Sequence, residues 1–202
     1  MVYPFIFLLN MKQPLLALLF CFALPPTISM AQRSVKTEFE QGTMDKGKKV
    51  GVWEYYNYSR NTDQPMVVQK YDHTNNKLLY YLPVEPQTYE VEKHPGDWSM
   101  SQVDQPPIYI GGTGVLSSYI SQMKYPETAQ QAGVQGKVII SFTIDTLGRA
   151  TGHKVTKSIG GGCDQEALRT CQSIPNQWLA PRVGSKAVAV RYMMPFSFKL
   201  DK

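Results

Sequence analysis

The residues best suited to chemistry in this sequence are its cysteines and histidines, and their spacing disfavours a catalytic or metal site. Cys163 and Cys171 would lie ~12 Å apart on one helix, whereas a disulfide needs Cα atoms within ~7 Å. We therefore expect two buried small hydrophobic residues; a disulfide would require Cys163 to fold back before the helix begins. His73, His94 and His153 lack the paired spacing of a zinc site, so no metal is expected.

Two glycine-rich turns resemble phosphate cradles, but neither has the residues that complete one. Residues 160–162 precede Asp164 and Glu166, whose negative charges oppose an anion at a helix start. No Lys followed by Ser or Thr completes a P-loop there, and residues 111–114 fail the same test. A serine nucleophile elbow is also missing from the sequence. We expect a protein without catalytic residues and without a cofactor.

The composition is that of a globular protein and excludes several other classes. The chain has 202 residues, of which 43% are hydrophobic and 18% are charged. This length leaves room for one ordinary domain or two small ones. The net charge of +5 is spread along the chain without a long basic run, so no nucleic-acid partner is expected.

The N-terminus has the features of a secretory signal peptide. An apolar run at residues 14–24 follows Lys12, and a small-residue pattern predicts cleavage after Ala31. Residues 1–10 fit this poorly, which suggests that translation begins at Met11. The alternative is an uncleaved membrane anchor over residues 2–24. Lys12 near its centre would cost roughly 2.5–3.5 kcal/mol, so we favour a cleaved, exported chain.

The segment at 32–83 is predicted to be a small β-rich module. Strand-like runs at 50–58, 65–73 and 77–83 alternate with turn residues and predict an antiparallel meander. The glycines at 42, 47 and 51 with the Trp53–Tyr56 run resemble one unit of MORN-like β repeats. A lone hairpin covering a second domain explains the pattern equally well. The proline-containing residues 84–107 predict a linker with one strand at 87–93.

From residue 108 onward the pattern predicts alternating helices and strands. Apolar residues at helical spacing over 115–123 predict a helix, and Pro126 favours a short second helix at 126–132. A hairpin is predicted from a strand at 136–144 and a return strand at 149–157. The acids after Cys163 favour a third helix, and residues 186–200 predict a last strand. Pro195 within that strand indicates a sheet edge.

Residues 108–202 resemble the TonB C-terminal domain family through motifs spread over the whole segment. The matching positions in its first half are Tyr125, Pro126, Ala129, Gly133, Gly136, Asp145 and Gly148. Those in its second half are Pro175, Trp178, Pro195 and Phe196. The resemblance implies an α+β fold in which two helices pack on a three-stranded antiparallel sheet, here preceded by the β-rich meander. One departure is a crossing loop between Trp178 and Pro181 that is one residue longer than the usual motif.

The resemblance also implies a non-enzymatic periplasmic role in energised transport. Family members bind the TonB-box peptide of outer-membrane TonB-dependent transporters by adding it as a strand to a sheet edge. This implies partner-binding residues in the last strand and just before the second helix: Gln122, Met123, Lys124, Val188, Val190, Arg191 and Tyr192. Self-pairing of edge strands would give a homodimer.

Three functions remain open on the sequence alone. The first is a periplasmic protein that binds transporter segments without an anchor. The second is an inner-membrane-anchored energy transducer coupled to the motor complex, which requires residues 2–24 to be retained. The third is an envelope scaffold that reuses the fold, with the β-rich module as a second binding surface.

Overall fold

The computed structural model describes residues 32–58, 64–82 and 87–200, so the predicted signal peptide lies outside the described residues. The described residues belong to one compact unit, which contains two larger sheets. Across the described ranges, no helix has the length and apolar character needed to cross a bilayer.

The N-terminal sheet is an antiparallel meander of five strands in chain order. The strands are β1 (Arg33–Lys36), β2 (Glu40–Asp45), β3 (Lys48–Tyr58), β4 (Pro65–Asp72) and β5 (Lys77–Tyr81). The three runs recognised in the sequence correspond to β3, β4 and β5. The first two strands lie in the polar segment 32–49, where few apolar side chains signal a strand.

The core of this meander consists of aromatic side chains from β3 and β4. Trp53, Tyr55 and Tyr71 are all at most 4% exposed. Trp53 donates its indole N–H to the backbone carbonyls of Thr43 and Val50, at 3.1 and 3.2 Å. Its ring lies directly over Gly42, so that a Cβ at this position would overlap the indole. The glycine and tryptophan of the repeat-like motif therefore form one packing unit.

A polar cluster closes one end of this aromatic core. The Lys49 ammonium forms an ion pair with Glu40 and lies 4.3 Å from the centre of the Trp53 ring. The Tyr55 hydroxyl and His73 Nε2 are 2.7 Å apart, within hydrogen-bond distance. Burial, followed by the charge of Lys49, lowers the pKa of His73 to about 4. His73 is therefore neutral in the folded protein at pH 7.

We expect His73 to make the protein less stable as the pH falls from 7 to 4. The unfolded chain takes up a proton near the ordinary histidine pKa of about 6.5, whereas the folded chain takes it up only near pH 4. The loss through this window should be ~1–2 kcal/mol after allowance for partial exposure. Urea denaturation at several pH values should show a flatter pH dependence of the free energy of unfolding for His73→Gln than for the wild type. An unchanged slope in His73→Gln would contradict this.

The C-terminal half contains a second antiparallel sheet of five strands in the order β10-β9-β14-β6-β7. These strands are β6 (Thr88–His94), β7 (Asp97–Gln102), β9 (Gly136–Ile144), β10 (Ala150–Lys157) and β14 (Ala189–Phe198). Three helices accompany it: α1 (Gly112–Ile120), α2 (Glu127–Gln131) and α3 (Cys163–Ser173). Short strands β8 (Ile108–Tyr109) and β11 (Trp178–Leu179) pair with each other, as do β12 (Arg182–Val183) and β13 (Lys186–Ala187). The α+β class and its antiparallel pairing are confirmed.

Two expectations for this half differ from the structure. The segment predicted as a linker at 84–107 contains the hairpin of β6 and β7, not one strand, and β6 joins the second sheet. Consequently β14 is not an edge strand at its start, because Val190 and Arg191 have strand partners on both sides. Pro95 lies in the turn between β6 and β7, and Pro106 and Pro107 follow β7, so none of these three prolines lies within a strand.

The second core lies between this sheet and the helices. Ile140, Phe196 and Val190 from the sheet are fully buried, and Cys163 and Ala167 of α3 pack with them. Cys163 and Cys171 are both free and buried on α3. Helix α3 begins after Gly162, which lies at its N-cap position.

Polar and apolar contacts join the two sheets. Buried Gln69 of β4 donates to the carbonyl of Tyr109 and accepts from the N–H of Gly111, at 3.2 and 2.7 Å. A Cβ on Gly114 in α1 would meet Phe39 and the carbonyl of Tyr56. The meander therefore packs closely against the start of α1 and is not a free module.

Candidate docking edge

The two outer strands of the second sheet differ in how accessible they are to another strand. Strand β10 has two register shifts, and it presents the exposed side chains of Lys154 and Lys157. Bulges and lysines of this kind discourage the addition of a further strand. Strand β7 carries no lysine, and its Met100 is 66% exposed.

Strand β14 has a covered half and an open half. Its residues Ala189–Arg191 pair with β6, whereas beyond Arg191 no strand of the described ranges pairs with β14 on that side. Opposite this side, β14 pairs with β9 continuously from Val190 to Phe198. The edge that Pro195 indicates therefore exists, but only over the second half of the strand.

The position of Pro195 shows which backbone groups of β14 face the open side. Proline has no N–H, so inside a sheet it is tolerated where its nitrogen points away from the hydrogen-bonded neighbour. Pro195 lies opposite Ile139 within the unbroken register with β9. In an antiparallel strand, residues two apart direct their N–H and C=O groups to the same side. We therefore expect the backbone groups of Met193 and Ser197 to face the open side.

Arg191 is the charged residue of this edge, and the β6–β7 hairpin already engages it. Its guanidinium lies 2.5 Å from the Glu90 carboxylate of β6. The same group lies 4.6 Å from the centre of the Trp98 ring of β7, in a cation–π contact. Val190, on the other face, is fully buried beside Val91.

Tyr192 and Val188 flank the covered half. Tyr192 packs on Trp178 and Phe142, with ring centres 5.2 and 5.5 Å apart, and burial raises the pKa of its hydroxyl. It also lines a cleft of about 390 Å³ between the two sheets, together with Tyr89 and other side chains. Val188 precedes the strand and donates its N–H to the carbonyl of Pro181.

The other predicted partner-binding residues lie toward the opposite end of β14. Gln122, Met123 and Lys124 form the turn after α1, where the Lys124 N–H donates to Glu166 of α3 at 2.6 Å. The next residue, Tyr125, packs edge-to-face on Phe198 with ring centres 5.4 Å apart. Phe198 is six residues beyond Tyr192, or ~20 Å along an extended strand. The structure thus splits the predicted set between the two ends of β14.

The motif residues of the sequence lie in the packing between helices, turns and sheet. The Tyr125 hydroxyl donates to the carbonyl of Val134 at 2.6 Å, and Ala129 is fully buried against Gly161. Asp145 accepts from the N–H groups of Leu147 and Arg149 and so closes the β9–β10 turn. Of the remaining motif positions, Trp178 and Phe196 are buried, Gly136 and Pro195 lie on strands β9 and β14, and the others lie between helices and strands: Pro126, Gly133, Gly148 and Pro175.

Sequence reasoning missed Glu90 and Trp98 as residues of this edge. The alternation of Tyr89, Val91 and the intervening acids did predict a strand at 87–93. Its partner strand was not predicted, because β7 has serines where a strand usually carries apolar residues. Over the described residues, no group of three or more His, Cys, Asp or Glu side chains is placed to hold a metal ion.

Comparisons with known proteins point to one family. Residues 121–200 match the family model of the Gram-negative bacterial TonB protein C-terminal region. The NMR solution structure of the Helicobacter pylori TonB C-terminal domain is 29% identical, covers 44% of this chain and 81% of its own, and has a TM-score of 0.31. A search of the curated proteins found no match.

The family consists of non-enzymatic transport proteins of the cell envelope, which generally interact with outer-membrane TonB-dependent receptors. The matched range contains α2, α3, β9, β10 and β14, including every motif residue named above. Residues 121–200 of this protein are therefore similar to the TonB C-terminal family.

Proposed function

We propose that this protein binds extended segments of outer-membrane TonB-dependent transporters by adding them as a strand to β14. It thereby takes part in energised transport across the outer membrane. The observation that carries the proposal is the pairing of β14 with β6, a strand from outside the family domain. An edge of this domain that accepts one extended segment has the geometry to accept another.

The path of a bound segment follows from the two ends of β14. An antiparallel strand along Val190–Phe198 would begin near Phe198 and the Gln122–Lys124 turn, which Tyr125 holds in place. It would end beside Arg191 and Tyr192, at the cleft between the two sheets. Such a segment needs about nine residues, since each extended residue spans ~3.3 Å. Both predicted groups of partner-binding residues would then contact one ligand.

The proposed location is the periplasm, reached by cleavage of the signal peptide after Ala31. We expect the intact mass of the native protein to correspond to a chain that begins at Gln32. A membrane-bound form that retains residues 2–24 would instead favour the anchored energy transducer.

Replacement of Ser197 by proline should weaken binding of transporter segments at least tenfold. The change removes one N–H that faces the open side and leaves the ladder with β9 intact, because Ser197 has the same orientation as Pro195. Ser197→Ala keeps the N–H and is the matched control. Binding would be measured by fluorescence anisotropy with a panel of synthetic peptides from the periplasmic N-terminal segments of outer-membrane transporters.

Two outcomes would count against the proposal. Peptide binding by a folded Ser197→Pro variant at the affinity of Ser197→Ala would exclude strand addition to the second half of β14. Failure of the folded wild-type protein to bind any transporter segment would exclude the transporter as partner.

An envelope scaffold is a second candidate, favoured by the N-terminal meander. Its edge strand β5 and the residue that follows carry three large, partly exposed apolar side chains, Leu79, Tyr80 and Leu82, at 47%, 41% and 39%. Exposed apolar groups along an edge are typical of contact surfaces. Affinity capture that recovers other envelope proteins through residues 32–82, and no transporter, would favour this function.

A further inference from the structure

We propose that the β6–β7 hairpin is an internal competitor that occupies the transporter-binding edge and must leave before a segment can pair along the whole of β14. This inference rests on the proposed function and concerns its regulation. The hairpin covers the positions at which the resemblance places partner binding, since Val190 and Arg191 are partnered by Val91 and Glu90.

The hairpin imitates a bound peptide in three respects. It is extended and antiparallel to β14, it comes from outside the family domain, and it places side chains on both faces of the sheet. On the core face, Val91 is 2% exposed beside Val190. On the other face, Glu90 and Trp98 both contact the Arg191 guanidinium. A transporter segment would have to replace these same contacts.

The attachment of the hairpin is short compared with the strand that it covers. The register with β14 spans three residue pairs, Ala189–Arg191 with Glu90–Glu92, whereas β14 is ten residues long. The six pairs between β6 and β7 join the hairpin internally. Departure of the hairpin as a unit would therefore leave both its own pairing and the β9–β14 ladder intact.

One contact of the hairpin with the core is unfavourable. The core-facing row of the sheet runs from Ile144 through Val190 and Val91 to Ser99 of β7. The Ser99 hydroxyl is buried and has no hydrogen-bond partner among the described residues. An unsatisfied buried hydroxyl weakens the docked state relative to a released one in which water solvates it.

The first test weakens the hairpin without changing β14. The double variant Glu90→Ala/Trp98→Ala removes both contacts to Arg191 and should raise the population of the open edge. The affinity measured for a ligand of the open edge rises in proportion to that population. We expect binding about three- to thirtyfold tighter, from the usual strengths of an exposed ion pair and a cation–π contact. Met100→Ala, on the same hairpin but 66% exposed, is the matched control and should bind like the wild type.

The second test locks the hairpin in place. Ala189 and Glu92 lie directly opposite each other, so Ala189→Cys/Glu92→Cys places two thiols within disulfide distance. The oxidised protein should lose binding, and reduction should restore it in the same sample. The single Ala189→Cys variant controls for the substitution in β14. Because the lock holds the native pairing, loss of binding would not arise from unfolding.

Two probes separate this inference from the proposed function. One is a labelled synthetic peptide of residues 87–95, QTYEVEKHP, and the other is the panel of transporter segments. Binding of the 87–95 peptide to the weakened variant, but not to the locked protein, would support the hairpin as a competitor for β14. If the same experiment shows no binding of any transporter segment, the hairpin still competes for β14, but the proposed partner is wrong.

Equal binding to all three proteins would contradict the competing role of the hairpin and leave the proposed function unaffected. If transporter segments bind the wild-type, weakened and oxidised locked proteins equally, the hairpin does not compete, and the segment pairs only with the second half of β14, beyond Arg191. The proposed function would then stand without this regulation. Circular dichroism and thermal melting of each variant would establish that every comparison is made between folded proteins.

Discussion

Replacing Gly148 with alanine should destabilise the protein by about 3 kcal/mol or more, with a melting temperature lower by ~10 °C. Gly148 has φ +76°, a left-handed conformation that costs an L-residue ~1–2 kcal/mol. The added Cβ would also collide with the backbone carbonyl of Trp178, which pairs with β8 and cannot move cheaply. The measurement is the free energy of unfolding from urea denaturation.

Gly152 provides the matched control for this change. It lies on β10, has φ +68°, and a Cβ added to it would have no atom within 4 Å, so Gly152→Ala carries the conformational cost alone. We expect Gly152→Ala to lower the free energy of unfolding by ~1–2 kcal/mol. Equal losses for the two variants would mean that the turn does not press against the Trp178 loop.

Replacing Gly42 with alanine should lower the free energy of unfolding by a similar amount, for a different physical reason. Gly42 is not among the glycines with positive φ, so the cost is steric alone. Its Cβ would overlap the indole of Trp53, which is 1% exposed and tied to Thr43 and Val50 by its N–H. Overpacking in a rigid core of this kind typically costs about 1–3 kcal/mol, and displacement of the indole from its hydrogen bonds adds ~1 kcal/mol.

A double-mutant cycle tests this explanation directly. Trp53→Leu should be destabilising by itself, because it removes a buried aromatic ring. In Trp53→Leu, however, Gly42→Ala should cost little, since the atoms that it would strike are gone. A cost of Gly42→Ala that is the same with either residue at 53 would show that the two positions do not interact.

These two glycines also explain why some of the fold was predictable from the sequence. Asp145 and Gly148 form a turn in which position 148 has a backbone conformation that only glycine adopts easily. This turn packs against Trp178. Gly42 and Trp53 form the corresponding pair in the meander. The resemblance identified Asp145, Gly148 and Trp178 as motif positions, and the residue pattern predicted the strands at 136–144 and 149–157, which correspond to β9 and β10.

The part that could not be predicted depends on long-range pairing. The sequence of β7 (Asp97–Gln102) has serines on its core-facing side, which gives no apolar alternation to recognise. Nothing local to β14 indicates that β6, about a hundred residues earlier, covers its first three residues. Pro195 correctly indicated an edge, but the edge begins only where β6 ends.

The proposed docking edge is this divided strand. The first half of β14 shows which contacts an extended segment makes there, through Val190 and Arg191. The second half offers unpaired backbone groups at Met193 and Ser197. The two halves together define a docking edge whose use depends on the β6–β7 hairpin.

Amide hydrogen exchange along β14, resolved by NMR with and without a bound transporter segment, tests the central claim most directly. If the segment adds as a strand, exchange at Met193 and Ser197 should slow on binding, because their N–H groups face the open side. Exchange at Met194 and Phe196, whose N–H groups face β9, should change little. Saturating binding with unchanged exchange at Met193 and Ser197 would contradict strand addition to β14.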